Sequence, residues 1–297
     1  MSAIIPSIAA DTTVGTVALT VSHLDRSRAF YETVLGLTAH ELDDGGLALG
    51  VADEPALVWL LSDSVAPRLD PRATGLFHLA VLTPSRRELA YALARLARSR
   101  WPVSGASDHL VSEALYLNDP DGNGIEIYRD RERSEWRTDD DGQLAMATLR
   151  LDLKSLAGEL HDAPPVSDRM PAGTRMGHVH LQVSDIPAAE DFYHGVLGFD
   201  VTVRGYPGAL FVSAGGYHHH IGLNTWNSAG AAPPPPGAVG LRAFDVRLPD
   251  RDELDRVLAR VSAAGLTAET LHGATAVRDP SGNAVLLRSA GPDRVLR

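Results

Sequence analysis

Two stretches of the chain begin with alternating apolar and polar positions and then change to a helical spacing that ends in Val-Leu-Gly. The first stretch, VGTVALTVSHLDRSRAFYETVLGL, starts at Val14, and the second, MGHVHLQVSDIPAAEDFYHGVLGF, starts at Met176. Alternation is typical of a half-buried strand, and the spacing after it is typical of an amphipathic helix. Gly36 and Gly198 stand where a left-handed residue commonly ends a helix. Each stretch therefore predicts a strand followed by a helix.

A second pair of similar stretches starts at Gly75 and Gly240, again with a strand-like pattern followed by a helical one. Both helices are predicted to begin with a capping box, in which Ser or Asp is followed three residues later by Glu. The two boxes are Ser85 with Glu88 and Asp250 with Glu253. Later in each stretch, the strings NDPDGN and RDPSGN predict tight turns between short strands.

These repeats divide the chain into four modules, each predicted to contain one strand, one helix and three further strands. The modules, numbered 1 to 4, cover about 14–64, 74–130, 174–227 and 238–290. Along the sequence we predict a first domain over 14–130, with modules 1 and 2, and a second over 174–290, with modules 3 and 4. A linker over 131–173, with an acidic run at Asp139–Asp141, separates the two domains.

The four modules keep the same register and carry the strings FYxxVLG and DPxGN. In this they resemble the vicinal oxygen chelate superfamily, which includes glyoxalases, bleomycin resistance proteins and extradiol dioxygenases. The resemblance covers nearly the whole chain outside the N-terminal segment and the linker. It implies an α+β fold in which four βαβββ modules pair into two curled, half-open barrels around a metal. The strings mark the scaffold and say little about which reaction it supports.

In this superfamily the metal ligands come from the first and last strands of a module, so the resemblance assigns two ligand positions to each module. Modules 1 and 4 have no usable ligand set there, whereas modules 2 and 3 have His and Glu. In module order, the first-strand positions are Thr16, His78, His178 and Ala243, and the last-strand positions are Trp59, Glu126, His220 and Leu286. The His220 assignment holds to within one residue.

His78, Glu126 and His178 form one site only if module 2 pairs with module 3, and module 1 with module 4. The long linker makes this non-sequential order physically possible. The dioxygenases that the chain resembles hold all three ligands in their C-terminal pair of modules, so either the modules have re-paired or the site has degenerated. Two histidines and one carboxylate suit non-haem Fe(II), with Mn, Ni or Zn as alternatives. If His220 also ligates, the set resembles that of a glyoxalase.

The segment HLVSEALYLNDPDGNGIEIY, from His109, resembles the corresponding part of extradiol dioxygenases more closely than that of the wider superfamily. There, a tyrosine that hydrogen-bonds the substrate precedes the ligand glutamate by ten residues, as Tyr116 precedes Glu126 here. A histidine before the same strand acts as an acid-base residue, which implies that role for His109. His220 is a further candidate for managing protons.

Three consecutive histidines stand in the predicted last strand of module 3. Alternation would place His218 and His220 on one face of the strand and His219 on the other. His180 would point to the same side as His178. We therefore predict that an imidazole-rich wall contacts the substrate. The predicted substrate contacts are His180, His218, Asn224 and Trp226.

Composition excludes several classes of partner and site. The chain has 27 Lys and Arg residues against 38 Asp and Glu residues, a net charge of −11, so nucleic acid and anionic membranes are not expected partners. The absence of cysteine excludes disulfides, thiolate zinc sites and a cysteine nucleophile, and agrees with a cytoplasmic location. The N-terminal segment, MSAIIPSIAADTTVG, lacks the features of a signal peptide and is predicted to be a loose arm. No apolar run approaches the roughly 20 residues that cross a bilayer.

These observations favour an Fe(II)-dependent extradiol dioxygenase that cleaves a catechol- or hydroquinone-type ring with O2. One alternative is a glyoxalase-like isomerase or thiol transferase that uses Ni, Zn or Mn. Another is a metal-free protein that binds an aromatic compound or antibiotic without turnover. Metal content after anaerobic purification, followed by O2 uptake with catechol, separates the three. The sequence leaves open whether the chain forms a homo-oligomer.

Overall fold

A computed structural model describes residues 7–52, 54–139 and 142–289 of the chain. All four modules have the predicted order of one strand, one helix and three strands. The elements of module 1 are β1 (Thr13–Val21), α1 (Leu24–Phe30) with a π-helical continuation (Tyr31–Leu35), β2 (Thr38–Glu41), β3 (Leu47–Gly50) and β4 (Val58–Ser62). Those of module 2 are β5 (Gly75–Leu82), α2 (Arg86–Ser99), β6 (Gly105–Asp108), β7 (Ser112–Asn118) and β8 (Gly124–Asp130).

The linker and the second half of the chain follow the same scheme. The linker contains a 3-10 turn (Arg133–Glu135), the two-residue strand β9 (Leu149–Arg150) and the short helix α3 (Leu153–Gly158). Module 3 consists of β10 (Arg175–Gln182), α4 (Ile186–Glu190) with a π-helical continuation (Asp191–Val196), β11 (Asp200–Val203), β12 (Ala209–Ser213) and β13 (Ile221–Asn224). Module 4 consists of β14 (Gly240–Leu248), α5 (Arg251–Ala263), β15 (Glu269–Leu271), β16 (Ala274–Arg278) and β17 (Ala284–Ser289).

The helix ends lie where the sequence predicts them. Gly36 and Gly198 follow the π-helical turns with φ of 85° and 91°, a left-handed backbone that residues with a side chain rarely adopt. At the other end, the side chains of Ser85 and Asp250 accept a backbone N–H from the first turn of α2 and α5. None of the helices that the structure describes is long and apolar enough to span a membrane.

The modules pair out of sequence order. Strand β1 of module 1 runs antiparallel to β14 of module 4, and β5 of module 2 runs antiparallel to β10 of module 3. This produces an eight-stranded sheet in the order β15-β16-β17-β14-β1-β4-β3-β2 and a nine-stranded sheet in the order β11-β12-β13-β10-β5-β8-β7-β6-β9. The α+β fold with two curled sheets is confirmed. The sequence halves 14–130 and 174–290 each contribute one module to each sheet.

The FY and DPxGN strings fasten the two sheets to each other. The Tyr31 hydroxyl donates to Asp119 Oδ2 at 3.2 Å, and the Tyr193 hydroxyl donates to Asp279 Oδ2 at 3.0 Å. These bonds join module 1 to module 2 and module 3 to module 4, which lie in different sheets. Each aspartate also accepts two backbone N–H groups within its own turn. The strings therefore serve the scaffold, as the sequence predicts.

We expect Tyr193→Phe to lower the free energy of unfolding by about 1.5–3 kcal/mol, because a buried bond to a carboxylate is lost. Chemical denaturation measures the change. Tyr91→Phe is the control, since its hydroxyl donates at 2.9 Å to a neutral acceptor, the carbonyl of Pro164. Its loss is expected to cost about 1 kcal/mol or less. Equal losses in the two variants would contradict a special role for the Tyr193 bond.

The N-terminal segment is not a loose arm where the structure describes it. Ile8 is buried, and its N–H donates to the carbonyl of Gly198 at 2.7 Å. Burial of this apolar side chain holds the segment against module 3, so the prediction of a loose arm is wrong there. Residues 1–6 of the segment lie outside the described residues.

The linker is also more than a spacer. Strand β9 extends the nine-stranded sheet by pairing with β6, and Leu151 and Leu156 are buried. The linker therefore packs onto module 2 and does not simply span the distance to module 3. Of the acidic run Asp139–Asp141, residues 140–141 lie outside the described residues.

Candidate metal centre

Strand register shows which residues hold equivalent positions in the four modules. In module 2, β5 runs parallel to β8, and Ala80 lies opposite Glu126. Ala80 follows the first-strand position, His78, by two residues. The same register in modules 1 and 4 places Trp59 opposite Ala18 and Leu286 opposite Asp245. The last-strand positions of modules 1, 2 and 4 therefore correspond to one another, as predicted from the sequence.

Module 3 differs from the prediction at this position. There β10 runs parallel to β13 with His180 opposite Gly222, so the equivalent residue is Gly222 and not His220. A Cβ atom on Gly222 would lie 2.9 Å from Cγ of His180, because the His180 ring fills the space of a fourth side chain. The assignment of His220 to this position is wrong by two residues. Modules 2 and 3 therefore offer three suitable ligand side chains at the four positions.

His78, Glu126 and His178 meet at one place on the nine-stranded sheet. Nε2 of His78 lies 3.0 Å from Glu126 Oε2, and Nε2 of His178 lies 3.2 Å from the same oxygen. One potential ligand atom from each residue lies within 4.8 Å of the other two, and all three side chains are buried. The pairing of modules 2 and 3 thus brings together two histidines that are one hundred residues apart in the sequence.

Burial and mutual contact leave Glu126 and His178 in the protonation states that metal binding requires. Burial pushes the pKa of Glu126 upward, but the adjacent His178 and His78 outweigh it and hold that pKa well below its usual value. Burial lowers the pKa of His178 to about 4, although Glu126 opposes this shift. At neutral pH a Glu126 carboxylate therefore lies beside a neutral His178 ring. Metal ligands bind in these deprotonated forms.

Several nitrogen atoms around the carboxylate lack hydrogen-bond partners despite their burial. They are Nε2 of His78, which lies near the carboxylate without the orientation of a hydrogen bond, Nδ1 of His178 and Nε2 of His180. A buried polar atom without a partner is costly, and so is a buried carboxylate without a cation. A divalent cation between His78, Glu126 and His178 would give Nε2 of His78 a partner and would balance the buried charge of the Glu126 carboxylate. The residues present therefore fit a metal ion with two nitrogen ligands and one oxygen ligand.

A cavity of about 460 Å³ opens beside the cluster, and His109 and Tyr116 line it together with His78 and Glu126. Nδ1 of His109 donates to the carbonyl of Ala147 at 2.8 Å, because a carbonyl only accepts. In the neutral ring, Nε2 of His109 then accepts from the Tyr116 hydroxyl at 2.7 Å. Burial, reinforced by Glu126, raises the pKa of Tyr116 well above its usual value, so the hydroxyl keeps its proton.

One wall of the cavity is aromatic. The His180 ring lies against Phe77, Trp226 and Phe211, with centroid distances of 5.2, 5.4 and 5.7 Å. Burial, together with the neighbouring imidazole of His78, lowers the pKa of His180 well below its usual value. This wall therefore presents neutral, flat surfaces to the cavity, and the two predicted substrate contacts His180 and Trp226 belong to it.

Phe77 is a cavity residue that the sequence does not predict, because strict alternation puts it on the opposite face from His78. The two strands shift register at this point: His78 lies opposite His180, but Leu76 lies opposite Leu181, so Phe77 has no cross-strand partner. Such a bulge redirects a side chain. As a result, consecutive residues of β5 line the same cavity.

The linker supplies a further part of the cavity wall, through Met146, Ala147 and Thr148. Thr148 Oγ1 lies 3.0 Å from the Tyr206 hydroxyl of module 3, while the Ala147 carbonyl holds His109 of module 2. The linker thus bridges both modules at the cavity. Sequence reasoning misses these residues because the linker has no repeat and no motif that indicates a contact.

The three consecutive histidines are not part of a strand, because β13 begins only at Ile221. The predicted alternation is therefore wrong, and His219 is the member that lines the cavity. Its ring centroid lies 4.1 Å from that of His178. His220 turns away from the cavity, where its Nδ1 accepts the backbone N–H of Ala214 at 3.1 Å.

His218 and Asn224 also lie outside the cavity lining. Nε2 of His218 is bonded to Asp130 Oδ1 at 2.9 Å. Asn224 is fully buried, and its Oδ1 accepts the N–H of Trp226 at 3.2 Å. In this arrangement the two residues support the cavity wall from behind and do not form its surface.

Comparison with known proteins agrees with the fold and identifies the family of the chain. A family model described as the Glyoxalase/Bleomycin resistance protein/Dioxygenase superfamily matches residues 13–127 and 175–287. The catechol-2,3-dioxygenase of Bacillus subtilis (strain 168) is 45% identical over 283 residues, which cover 94% of this chain and 98% of that protein.

Two solved structures share the fold at low identity. A Bacillus subtilis protein provisionally described as a dioxygenase aligns with a TM-score of 0.64 and 14% identity, covering 97% of this chain and 87% of its own. Glyoxalase I from Zea mays aligns with a TM-score of 0.57 and 14% identity, covering 93% of this chain and 92% of its own. At 14% identity the likeness concerns the fold alone.

Proposed function

The chain belongs to the glyoxalase, bleomycin resistance protein and dioxygenase superfamily, and on this premise we propose that it is an Fe(II)-dependent extradiol dioxygenase acting on a catechol-type ring. The observation that carries the proposal is the buried cluster of His78, Glu126 and His178 at the edge of a cavity. The 45% identity to a catechol-2,3-dioxygenase, over almost the whole of both chains, supports the same activity.

The ligand set favours Fe(II) chemistry over that of a four-ligand site. Two imidazoles and one carboxylate leave coordination positions open, a set typical of non-haem Fe(II) oxygenases. A bound Fe(II) would supply the redox chemistry that joins O2 to the aromatic ring. Gly222 at the fourth position supports this proposal, because a fourth protein ligand would occupy room needed for a diol and O2. A glyoxalase-like site with two ligands from each module is correspondingly less well supported.

The cavity suits an aromatic substrate larger than one unsubstituted ring. An apolar cavity of roughly 150 Å³ holds benzene, and this cavity has about three times that volume, 460 Å³. Phe77, Phe211 and Trp226 offer ring faces and edges against which an aromatic group packs favourably. We therefore propose catechols with ring substituents as the substrate class, with the diol directed at the metal cluster.

Four residues are assigned to the substrate and its protons. The Tyr116 hydroxyl, whose own proton is donated to Nε2 of His109, would accept a hydrogen bond from a diol hydroxyl, and a proton of the diol would then pass through Tyr116 to His109. His219 takes the place in the cavity that the sequence assigned to His220. His180 would contact the ring from the aromatic wall. The aromatic substrate and O2 are the proposed partners; a cytoplasmic location and a homo-oligomeric state stay predictions.

The test is O2 uptake by protein purified without O2 and loaded with Fe(II), with catechol and 3- or 4-substituted catechols as substrates. We expect one O2 consumed per catechol, with loss of the aromatic absorbance. Protein loaded with Zn(II) serves as the control, since it fills the same ligands without redox chemistry. Tight binding of catechol without O2 uptake by the Fe(II) form would favour the binding-protein alternative and overturn the proposal.

We expect one metal ion per chain, not two. The equivalent positions in the eight-stranded sheet are occupied by Thr16, Trp59, Ala243 and Leu286, which provide no ligand set. In that sheet, the carboxylate of Asp245 beside Leu286 is already paired with Arg288 at 3.0 Å. Elemental analysis of dialysed protein measures the ratio. Two tightly held ions per chain would contradict the assignment of the site to modules 2 and 3 alone.

A further inference from the structure

Behind His219 lies a chain of hydrogen bonds that ends at a carboxylate. Nδ1 of His219 lies 2.8 Å from Nδ1 of His218, and Nε2 of His218 lies 2.9 Å from Asp130 Oδ1. His218 is completely buried. The Tyr217 hydroxyl lies 3.1 and 3.0 Å from the two oxygens of Asp130, as their donor. The carboxylate is therefore held by a second group besides His218.

The direction of each bond follows from the chemistry of the groups. A carboxylate only accepts, so the proton between His218 and Asp130 belongs to Nε2 of His218. When His218 carries only this proton, its Nδ1 has a lone pair, and the proton in the contact of 2.8 Å then belongs to Nδ1 of His219. Nε2 of His219 is consequently left unprotonated.

We infer that Asp130 and His218 are positioning residues that fix His219 in the Nδ1–H tautomer, so that its Nε2 faces the cavity as a hydrogen-bond acceptor. The use of this acceptor rests on the proposed function: it would orient a hydroxyl group of the diol beside the metal cluster. The ring of His219 also lies against His178, at a centroid distance of 4.1 Å. Anchoring His219 therefore supports the orientation of His178 as well.

The tautomer can be observed without metal, substrate or turnover. In full-length, metal-free protein labelled with 15N-histidine, long-range 1H–15N spectra distinguish protonated from unprotonated ring nitrogens. His219→Gln identifies the His219 signals by their loss. We expect a protonated Nδ1 and an unprotonated Nε2 in the wild-type protein. A wild-type His219 with its proton on Nε2 would overturn the inference, because the bond to His218 would then run in the opposite direction.

Two variants test the role of the carboxylate. In Asp130→Ala we expect His219 to populate a mixture of its two tautomers. We also expect kcat for catechol to fall about 10- to 100-fold, as is typical for residues behind a metal site. The metal content should stay unchanged. Tyr217→Phe is the matched control, because it removes a neighbour of Asp130 but leaves the bond from His218. It should keep the Nδ1–H tautomer and most of the activity.

An unchanged tautomer and an unchanged kcat in Asp130→Ala would also overturn the inference. If wild-type protein shows no O2 uptake at all, the proposed function fails, yet the tautomer measurement still decides whether Asp130 and His218 position His219. If Asp130→Ala does not fold, the wild-type spectrum alone gives that decision.

Discussion

Glu126→Ala is expected to abolish metal retention and to reduce ring-cleaving activity by more than about 100-fold. Even residues behind a metal ligand cost 10- to 100-fold when they are removed, and Glu126 would be a ligand itself. It is also the only anion of the cluster, lying 3.0 and 3.2 Å from the two histidines. Without it, two neutral imidazoles would face a divalent cation with no charge to balance it. Elemental analysis after dialysis, together with O2 uptake, measures both losses.

Leu286→Ala provides the matched control for Glu126→Ala. Leu286 holds the equivalent position in module 4 and is buried, so this change removes a core side chain at the same place in the fold. It is expected to destabilise the protein by about 2–5 kcal/mol through the cavity it leaves. Metal content should stay at the wild-type level. If both variants retain metal at the wild-type level, Glu126 is not part of the site. If both lose metal equally, the site depends on packing and not on the carboxylate.

The repeats in the sequence predict the structure of each module but not which modules pair. Four similar segments indicate four similar structures, and the periodicities within each segment predict their strands and helices. Which module lies beside which is decided by contacts between strands that are far apart in the chain, such as β5 with β10. Local patterns do not encode those contacts. The positions of His78, Glu126 and His178 gave the only indication, because these residues make chemical sense only when modules 2 and 3 are neighbours.

Sequence reasoning fails at the site where the backbone leaves its regular path. The bulge at Phe77 redirects one side chain into the cavity, and in the irregular segment before Ile221 it is His219, and not His220, that lines the cavity. Alternation assumes an uninterrupted strand, so a single inserted or unpaired residue reverses its prediction. The contacts of the linker with Tyr206 and His109 depend on tertiary packing alone.

Tyr116→Phe is expected to lower kcat for catechol by about 100-fold while the metal content stays unchanged, because proton transfer by a positioned side chain typically contributes this much. The variant keeps the ring and removes only the hydroxyl, which lies 2.7 Å from Nε2 of His109. Tyr206→Phe is the control. Tyr206 also lines the cavity, but its hydroxyl is bonded to Thr148 and not to His109, so kcat should stay near the wild-type value.

Combining Tyr116→Phe with His109→Gln tests whether the two residues act as one unit. If the Tyr116 hydroxyl and the His109 ring form one path for a proton, either change breaks it, and the double variant should be no slower than the slower single variant. Independent roles would instead make the two losses multiply. Multiplying losses, or an equal fall of kcat in Tyr116→Phe and Tyr206→Phe, would contradict the shared path. A loss of metal from Tyr116→Phe would show that its hydroxyl supports the cluster of Glu126 and the two histidines and does not act on the substrate.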